Sequence, residues 1–273
     1  MSEPRTLAPP ERRVAVVSGV EHLGAYDLIT AVDRFGPADP RPGQFYMLAA
    51  ASGWGGGTDE RPYLPRAFSY ARARVESDGL ALSFLLEAVG PGTERLSELA
   101  ADDGLALVGP LGVGFRAPAE GSRPLLVGGG IGAAPLLCWQ EELDDPPVLL
   151  GFRSATHAQA AALFGPDPQV ATDDGSVGRH AFVTELLAAE LEADPRATVY
   201  ACGPPQMLEA VRALCAEREV PAQLAMESGM ACGFGACFGC VVPTRGGYVR
   251  LCVDGPVMDA AMLETALVAG AGH

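Results

Sequence analysis

Between Arg123 and Met226 the sequence keeps one rhythm, a short apolar run followed by a helical pattern. The strand candidates are "RPLLVGG", "PVLLGF", "PQVATDD", "ATVYACG" and "PAQLAM". Between them lie "AAPLLCWQEEL", "ATHAQAAALF", "HAFVTELLAAELE" and "PQMLEAVRALCAE", whose apolar residues recur at helical spacing. Strands joined through helices run parallel, so four such steps ending on a fifth strand predict a doubly wound parallel sheet. The preceding hundred residues have another texture. "RRVAVVSGV", "AYDLITAV", "GQFYMLAAA", "RAFSYARA", "LALSFLLEAV" and "GLALVGPLG" are apolar or alternating runs, separated by turn formers such as "RFGPADPRPG" and "ESDG". They predict a small antiparallel barrel, interrupted by a glycine-rich loop, "ASGWGGGTDERP". The last residues, "MDAAMLETALVAG", read as a short terminal helix.

Between the parallel sheet and that end lies the densest chemistry. Three of seven cysteines, Cys232, Cys237 and Cys240, fall within "MACGFGACFGC", and Cys252 follows in "YVRLCVDGPV". C-x4-C-x2-C with a more distant fourth cysteine is the spacing of plant-type [2Fe–2S] sites. A chain wrapped so tightly needs positive φ, which Gly233, Gly235 and Gly239 permit, and must aim N–H groups at sulfide and thiolate. Phe234 and Phe238 are expected to shield one side. Zinc remains the alternative, although structural zinc sites favour two C-x2-C pairs and only Cys237 and Cys240 form one. Cys138, Cys202 and Cys215 fall singly in strand or helix patterns and read as packing residues. The four histidines are scattered and receive no role.

Charge narrows the partners. With 34 Asp and Glu against 19 Lys and Arg, the formal net charge of −15 opposes binding to nucleic-acid phosphates or anionic lipid. The longest mainly apolar run, 125–139, is broken by glycines and Pro135 and falls short of a membrane span. The polar, proline-rich start "MSEPRTLAPPERR" lacks the apolar core of a secretory signal. A soluble, cytoplasmic chain is expected, and there clustered cysteines point to metal or redox work.

Five further strings suggest nucleotides. "LLVGGGIGAAPLL" runs a strand through Gly128, Gly129, Gly130 and Gly132 into a helix whose first N–H groups suit a diphosphate; a tight turn without ligand explains it too. In "RAFSY", Arg66 can meet a phosphate while the extended backbone faces a flat ring, and "LLEAVGPGT" offers the N–H groups of Gly90, Gly92 and Thr93 with the Thr93 hydroxyl. "ATDDGSVGRHAFVT" and "YACGPPQMLEAV" end strands at the carboxyl edge, where ligands sit in such sheets. There Asp173 and Asp174 either receive ribose hydroxyls and repel an extra phosphate, favouring NAD over NADP, or cap the turn; Arg153 and Arg179 offset the repulsion.

In this order, barrel, nucleotide unit and cysteine segment resemble the ferredoxin-NADP reductase superfamily. "RAFS", "GPGT", "GPLGVGF", "GGGIGAAPL", "CGPPQM" and "ESGMACGFGACFGCVV…LCVDGPV" are similar to one branch, the electron-transfer subunits of NAD-dependent dihydroorotate dehydrogenase, over about residues 12–260. The resemblance implies an α+β multidomain fold: an FAD-binding β-barrel (11–118), an NAD-binding doubly wound α/β domain (119–221), and a small C-terminal [2Fe–2S] domain (222–273). It implies FAD contacts at Arg66, Ala67, Phe68 and Ser69, at Leu85, Leu86 and Glu87, and at Gly92 and Thr93. Cys232, Cys237, Cys240 and Cys252 are then the cluster ligands. Phe68 and Glu87 depart from the branch, Glu87 standing where a basic residue is common. The implied activity is a relay: a partner subunit holding FMN oxidises dihydroorotate in pyrimidine (UMP) synthesis, and electrons pass through [2Fe–2S] and FAD to NAD+, the two subunits forming a heterotetramer with two of each. No residue here resembles the base for dihydroorotate. The alternatives are a related subunit serving ferredoxin, sulfide or glutamate synthase, and a non-catalytic redox sensor or carrier.

Overall fold

The computed structural model describes residues 11–37, 39–55, 62–143, 146–165 and 167–268. The first sheet comprises β1 (Arg13–Leu23), β2 (Tyr26–Asp33), β3 (Phe45–Ala50), β4 (Arg66–Ser69), β5 (Arg72–Glu76), β6 (Gly79–Leu86) and β7 (Gly104–Leu111), with a short helix α1 (Pro91–Ser97) before β7. All its pairings are antiparallel, in the order β4-β3-β7-β1-β2-β6-β5. It curls until β4 comes against β6, enclosing Tyr46, Leu48, Leu82, Phe84, Leu86 and Leu107. Six runs predict six strands, and the structure has seven. "RAFSYARA" breaks after Ser69, where the Tyr70 hydroxyl donates to Pro40 O (2.9 Å) and the Ala71 N–H to Ser83 O (2.7 Å), so its halves pair at opposite sheet edges.

The second sheet holds β8 (Arg123–Gly129), β9 (Val148–Phe152), β10 (Gln169–Thr172), β11 (Arg179–His180), β12 (Ala197–Cys202) and β13 (Ala222–Ala225). Helices α2 (Ala133–Glu142), α3 (Ala155–Ala158), α4 (Val183–Ala193) and α5 (Pro205–Glu217) connect them. The order is β11-β10-β9-β8-β12-β13, every pair parallel. All five expected strands and three of the four expected helices form. "ATHAQAAALF" gives only the single turn α3 and a 3-10 stretch over Gln159–Leu163. Because β13 pairs parallel with β12, the strand Ala222–Ala225 continues the second sheet.

The third unit contains the hairpin β14 (Val241–Thr244) and β15 (Gly247–Arg250), the turn α6 (Leu251–Asp254) and β16 (Val257–Asp259). β16 adds antiparallel to β13, extending the second sheet. Among the described residues the expected terminal helix does not form. Its first residues are spent in β16, Ala260–Met262 makes one 3-10 turn, and Leu263 and Ala266 are buried against the second core instead. Glu209 on α5 holds this end, accepting from Thr265 Oγ1 (3.0 Å) and the Ala266 N–H (2.5 Å) while paired with Arg212 (2.6 Å). The Arg212 hydrogen bond chiefly, with those from Ala266 and Thr265 and against partial burial, brings its carboxyl down to about 2. A depressed carboxylate stabilises the fold above its ordinary pKa and ceases to as pH falls through the folded value. Glu209→Gln is expected to cost about 1 kcal/mol or less, since solvent screens the pair, and to expose the C-terminal segment to protease. In melts across pH, its difference from wild type should close between about 4.5 and about 2.

Candidate functional site

A cavity of 1290 Å³ lies between the barrel and the carboxyl ends of the parallel strands. The barrel contributes Arg66, Ala67, Phe68 and Ser69 of β4, Leu85 and Glu87 at the end of β6, and Gly90, Gly92 and Thr93 around the start of α1. Of the nine expected FAD contacts only Leu86 is not among the lining residues. Strand alternation turns it into the barrel core while Leu85 faces the cavity. The Arg66 guanidinium lies over the Gly90–Thr93 turn, donating to Leu64 O (2.5 Å) and packed on the Trp54 ring at 5.8 Å. A Cβ at 92 would stand 2.5 Å from Arg66 Nε and push the guanidinium aside. The Thr93 hydroxyl is occupied inside the turn: it accepts from the N–H groups of Val89 (2.9 Å) and Gly90 (3.1 Å) and donates to Gly90 O (3.0 Å). What the turn offers an anion is therefore backbone N–H, not that hydroxyl.

The parallel sheet supplies the opposite wall. The turn after β8, Gly129–Gly132, and the ends of β9 and β12, with Arg153, Cys202 and Pro204, face the barrel. Gly132 is required by close approach, because a Cβ there would sit 2.5 Å from the backbone of Cys202 and Gly203. Of the two aspartates after β10, Asp173 lines the cavity and Asp174 does not. Asp174 Oδ1 accepts from the Ser176 hydroxyl (2.5 Å) and N–H (3.0 Å), bonds that lower its pKa, so it caps the turn. Arg179 lies exposed on β11 and does not reach the cavity lining.

Sequence reading missed Tyr26 and Glu227. Glu227 lines the cavity just beyond β13, and burial raises its carboxyl pKa. Burial chiefly, then Glu227, keeps the Cys202 thiol well above its ordinary value. Ser228 Oγ is buried here without a protein partner, an acceptor or donor left for a ligand with polar edges. A carboxylate closing an apolar run in "AQLAMES" is the one signal that was available.

The cavity's last lining residue before the cysteine loop is Ala231, adjacent in sequence to Cys232. Gly233 and Gly235 take φ +81° and +87°, and even Phe238 is left-handed at +59°. Among the described residues no group of three or more His, Cys, Asp or Glu is arranged to hold a metal ion. The thiols instead fall into two couples, Cys232 with Cys237 and Cys240 with Cys252. Burial raises Cys232, but N–H groups of Cys237, Phe234 and Ala236 and the Cys237 thiol outweigh it and bring it to about 6. Gly239 N–H reaches Cys237 Sγ (3.4 Å) and Cys252 N–H reaches Cys240 Sγ (3.4 Å). Backbone donors aimed at sulfur suit an anionic sulfur centre, and two couples suit a pair of irons. Cys237 is exposed and Cys232 half-buried, whereas Cys240 and Cys252 are buried. Phe234 and Phe238 are themselves more than half exposed, at 51% and 63%. Cys138, Cys202 and Cys215 are buried packing residues, with Cys202 also on the cavity wall.

Comparison with known proteins agrees with this layout. Residues 227–264 match the family model described as the iron-sulfur cluster binding domain of dihydroorotate dehydrogenase B. The dihydroorotate dehydrogenase B (NAD(+)) electron transfer subunit of Clostridium acetobutylicum is 35% identical over 240 residues, 87% of this chain and 92% of that protein. The same subunit of Geobacillus kaustophilus is 37% identical over 234 residues, covering 81% and 85%. Among solved structures, an NADH-dependent reduced ferredoxin-NADP oxidoreductase superposes with TM-score 0.76 at 23% identity, over 93% of this chain and 90% of that one. The ferredoxin reductase of carbazole 1,9a-dioxygenase gives 0.63 at 25% identity, over 77% and 66%.

Two glycines of the cavity wall separate packing from conformation. Gly132→Ala, at an ordinary φ but against fixed backbone, is expected to lower the unfolding free energy by about 1–3 kcal/mol in a denaturant titration. Gly90→Ala, extended and with open space around its Cβ, should stay within about 0.5 kcal/mol of wild type.

Proposed function

Since this chain belongs to the family of dihydroorotate dehydrogenase B (NAD(+)) electron transfer subunits, we propose that it passes electrons from a partner's FMN through [2Fe–2S] and FAD to NAD+ in pyrimidine biosynthesis. The observation that carries this reading is the continuity of the cavity with the cysteine loop, Ala231 ending one and Cys232 beginning the other. When bound, the cluster supplies one-electron steps, and the flavin exchanges single electrons on one side and hydride on the other.

The chain's own residues divide the remaining tasks. Arg66 pairs with an FAD phosphate, and the β4 backbone from Ala67 to Ser69 lies along the flavin. N–H groups of the Gly92–Thr93 turn take the second phosphate contact, and Leu85 and Glu87 border the site. Cys232, Cys237, Cys240 and Cys252 would hold the cluster, with the exposed edge of the loop at Cys237 toward the electron donor. Phe234 and Phe238, apolar and solvent-facing on that edge, meet the partner. Asp173 accepts from a ribose hydroxyl of NAD, and Glu227 with Ser228 borders the place where hydride is exchanged. Dihydroorotate is oxidised on the FMN-containing catalytic subunit, two copies of which join two of this chain in the cytoplasm, with no nucleic acid or membrane involved. Among the described residues no helix is long and apolar enough to cross a membrane.

The purified chain should contain about two irons and two labile sulfides and reduce artificial acceptors with NADH, yet leave dihydroorotate untouched. Mixed with the FMN subunit, it should give dihydroorotate-dependent NAD+ reduction. Cys237→Ser should lose iron and this coupled activity while keeping FAD. Turnover of dihydroorotate by the isolated chain, or stoichiometric zinc in anaerobic preparations, would refute the assignment. For the flavin, loss of a charge-assisted contact in Arg66→Ala should weaken FAD binding roughly ten- to a hundredfold in apoprotein titration.

A further inference from the structure

One ion pair spans the cleft. Arg153, just past β9 in the parallel sheet, donates to Glu87, just past β6 in the barrel, with Nη2 2.5 Å from Oε1. His157 Nε2, on α3, stands 3.4 Å from the same oxygen, and its Nδ1 lies 2.9 Å from Ser154 Oγ. Both partners of the pair line the cavity.

Their meaning follows from a count of charge. The chain contains no lysine, so every permanent side-chain cation is an arginine. Among the described residues two arginines line the cavity, Arg66 and Arg153, against the carboxyl groups of Glu87, Asp173 and Glu227. Arg66 is committed on the barrel side, over the Gly90–Thr93 turn. A second dinucleotide brings two more negative phosphates into the same space. The cation left to meet them is Arg153, two residues beyond Gly151, which pairs with Gly129 at the glycine turn after β8. That cation is already neutralised by Glu87.

We propose that Arg153 is a specificity-determining residue for the NAD diphosphate and that Glu87 is its resting counter-ion, displaced when nucleotide binds and re-engaged when it leaves. The inference rests on the reading of the cleft as the NAD site. Nucleotide binding must break the pair, so Glu87 holds affinity below what the cleft would otherwise give, and its return to Arg153 assists product release. The Arg153 side chain is 65% exposed, against 22% for Glu87, so the cation is open to an incoming phosphate.

The test is a double-substitution cycle on the full chain loaded with FAD and cluster, titrated calorimetrically with ADP-ribose, which carries both phosphates and no redox-active ring. FAD content, read from visible absorbance, is measured for each variant so that affinities refer to the flavin-containing fraction. Glu87→Gln should tighten ADP-ribose about two- to fivefold, with the gain shrinking as salt is added. Arg153→Ala should weaken it about tenfold, and in that background Glu87→Gln should change nothing. A purely architectural pair predicts the opposite sign, since Glu87→Gln would loosen the domain junction and weaken or spare binding; either result overturns the proposal. Tightening that persists without Arg153 also overturns it, showing plain repulsion by Glu87. If the flavin-loaded wild type failed to bind ADP-ribose at all, the NAD reading of the cleft would fall, and the counter-ion exchange with it.

Discussion

Five residues, Gly255 to Asp259, hold the three units in register. The Val113 N–H, at the exit of the barrel, donates to Gly255 O (2.5 Å), and Val113 bridges Pro256. Pro256 O in turn accepts from the Met226 N–H (2.9 Å), and β16 continues the parallel sheet beside β13. Barrel, nucleotide sheet and cysteine segment are therefore joined by backbone hydrogen bonds, not by a linker. Electron transfer between centres falls steeply with separation, so a path assembled from three units needs its distances fixed. Here they are fixed by main-chain pairing, which side-chain variation cannot easily disturb. Cys252 lies three residues before this segment and Met226 opens the other approach to the loop, so both ends of the cluster site are tied to the same anchor.

That anchoring explains the asymmetry of the thiols. Cys240 and Cys252 sit at the base of a hairpin whose Leu251 N–H donates to Cys240 O (3.0 Å), and they are buried with it. Cys232 and Cys237 lie on the arc beyond, where positive φ at Gly233 and Gly235 turns N–H groups inward and leaves Cys237 in solvent. Arg250 closes the arc, donating to Gly235 O (2.9 Å) and covering Phe238 at 5.2 Å. One side of the site is bonded to the fold and the other is open to solvent. This polarity suits a relay, which must receive on one face and deliver on another.

Legibility in the sequence followed the range of the interactions responsible. Strands of the parallel sheet were readable because burial on both faces leaves continuous apolar runs, and the cysteine spacing because a wrapped loop is local. The break inside "RAFSYARA" depends on Pro40 and Ser83, and the missing terminal helix on Glu209, more than fifty residues upstream of Thr265. No window of neighbouring residues contains those partners. The FAD strip from Leu85 to Glu87 was assigned as a unit, yet strand alternation separates Leu86 from its neighbours, a period-two consequence that the residues themselves announce. Asp173 and Asp174 show the reverse limit: adjacent and chemically identical, they are divided only by Ser176, which captures one and leaves the other to the cavity. Glu227 and Tyr26 became site residues because two sheets face each other, a fact of assembly.

A chain with net charge −15 that takes two dinucleotides must solve a local problem opposite to its global one. Elsewhere acidic excess is harmless or helpful, keeping the surface solvated and unattractive to nucleic acid. Inside the cavity each ionised carboxylate opposes the phosphates. The structure meets this at three carboxylates. Asp174 is turned aside into its own loop. Burial raises the pKa of the Glu227 carboxyl, which stands next in sequence to Ser228 and its unpartnered hydroxyl. Glu87 is spent on Arg153 and His157. What remains for the phosphates is backbone N–H at two glycine turns and two arginines, a recognition surface that depends on chain geometry more than on net charge. An acidic protein can therefore meet polyanions where the backbone does the binding, and of the glycines at these turns Gly132, set against the backbone of Cys202 and Gly203, is closed to a side chain while Gly90 is open to one.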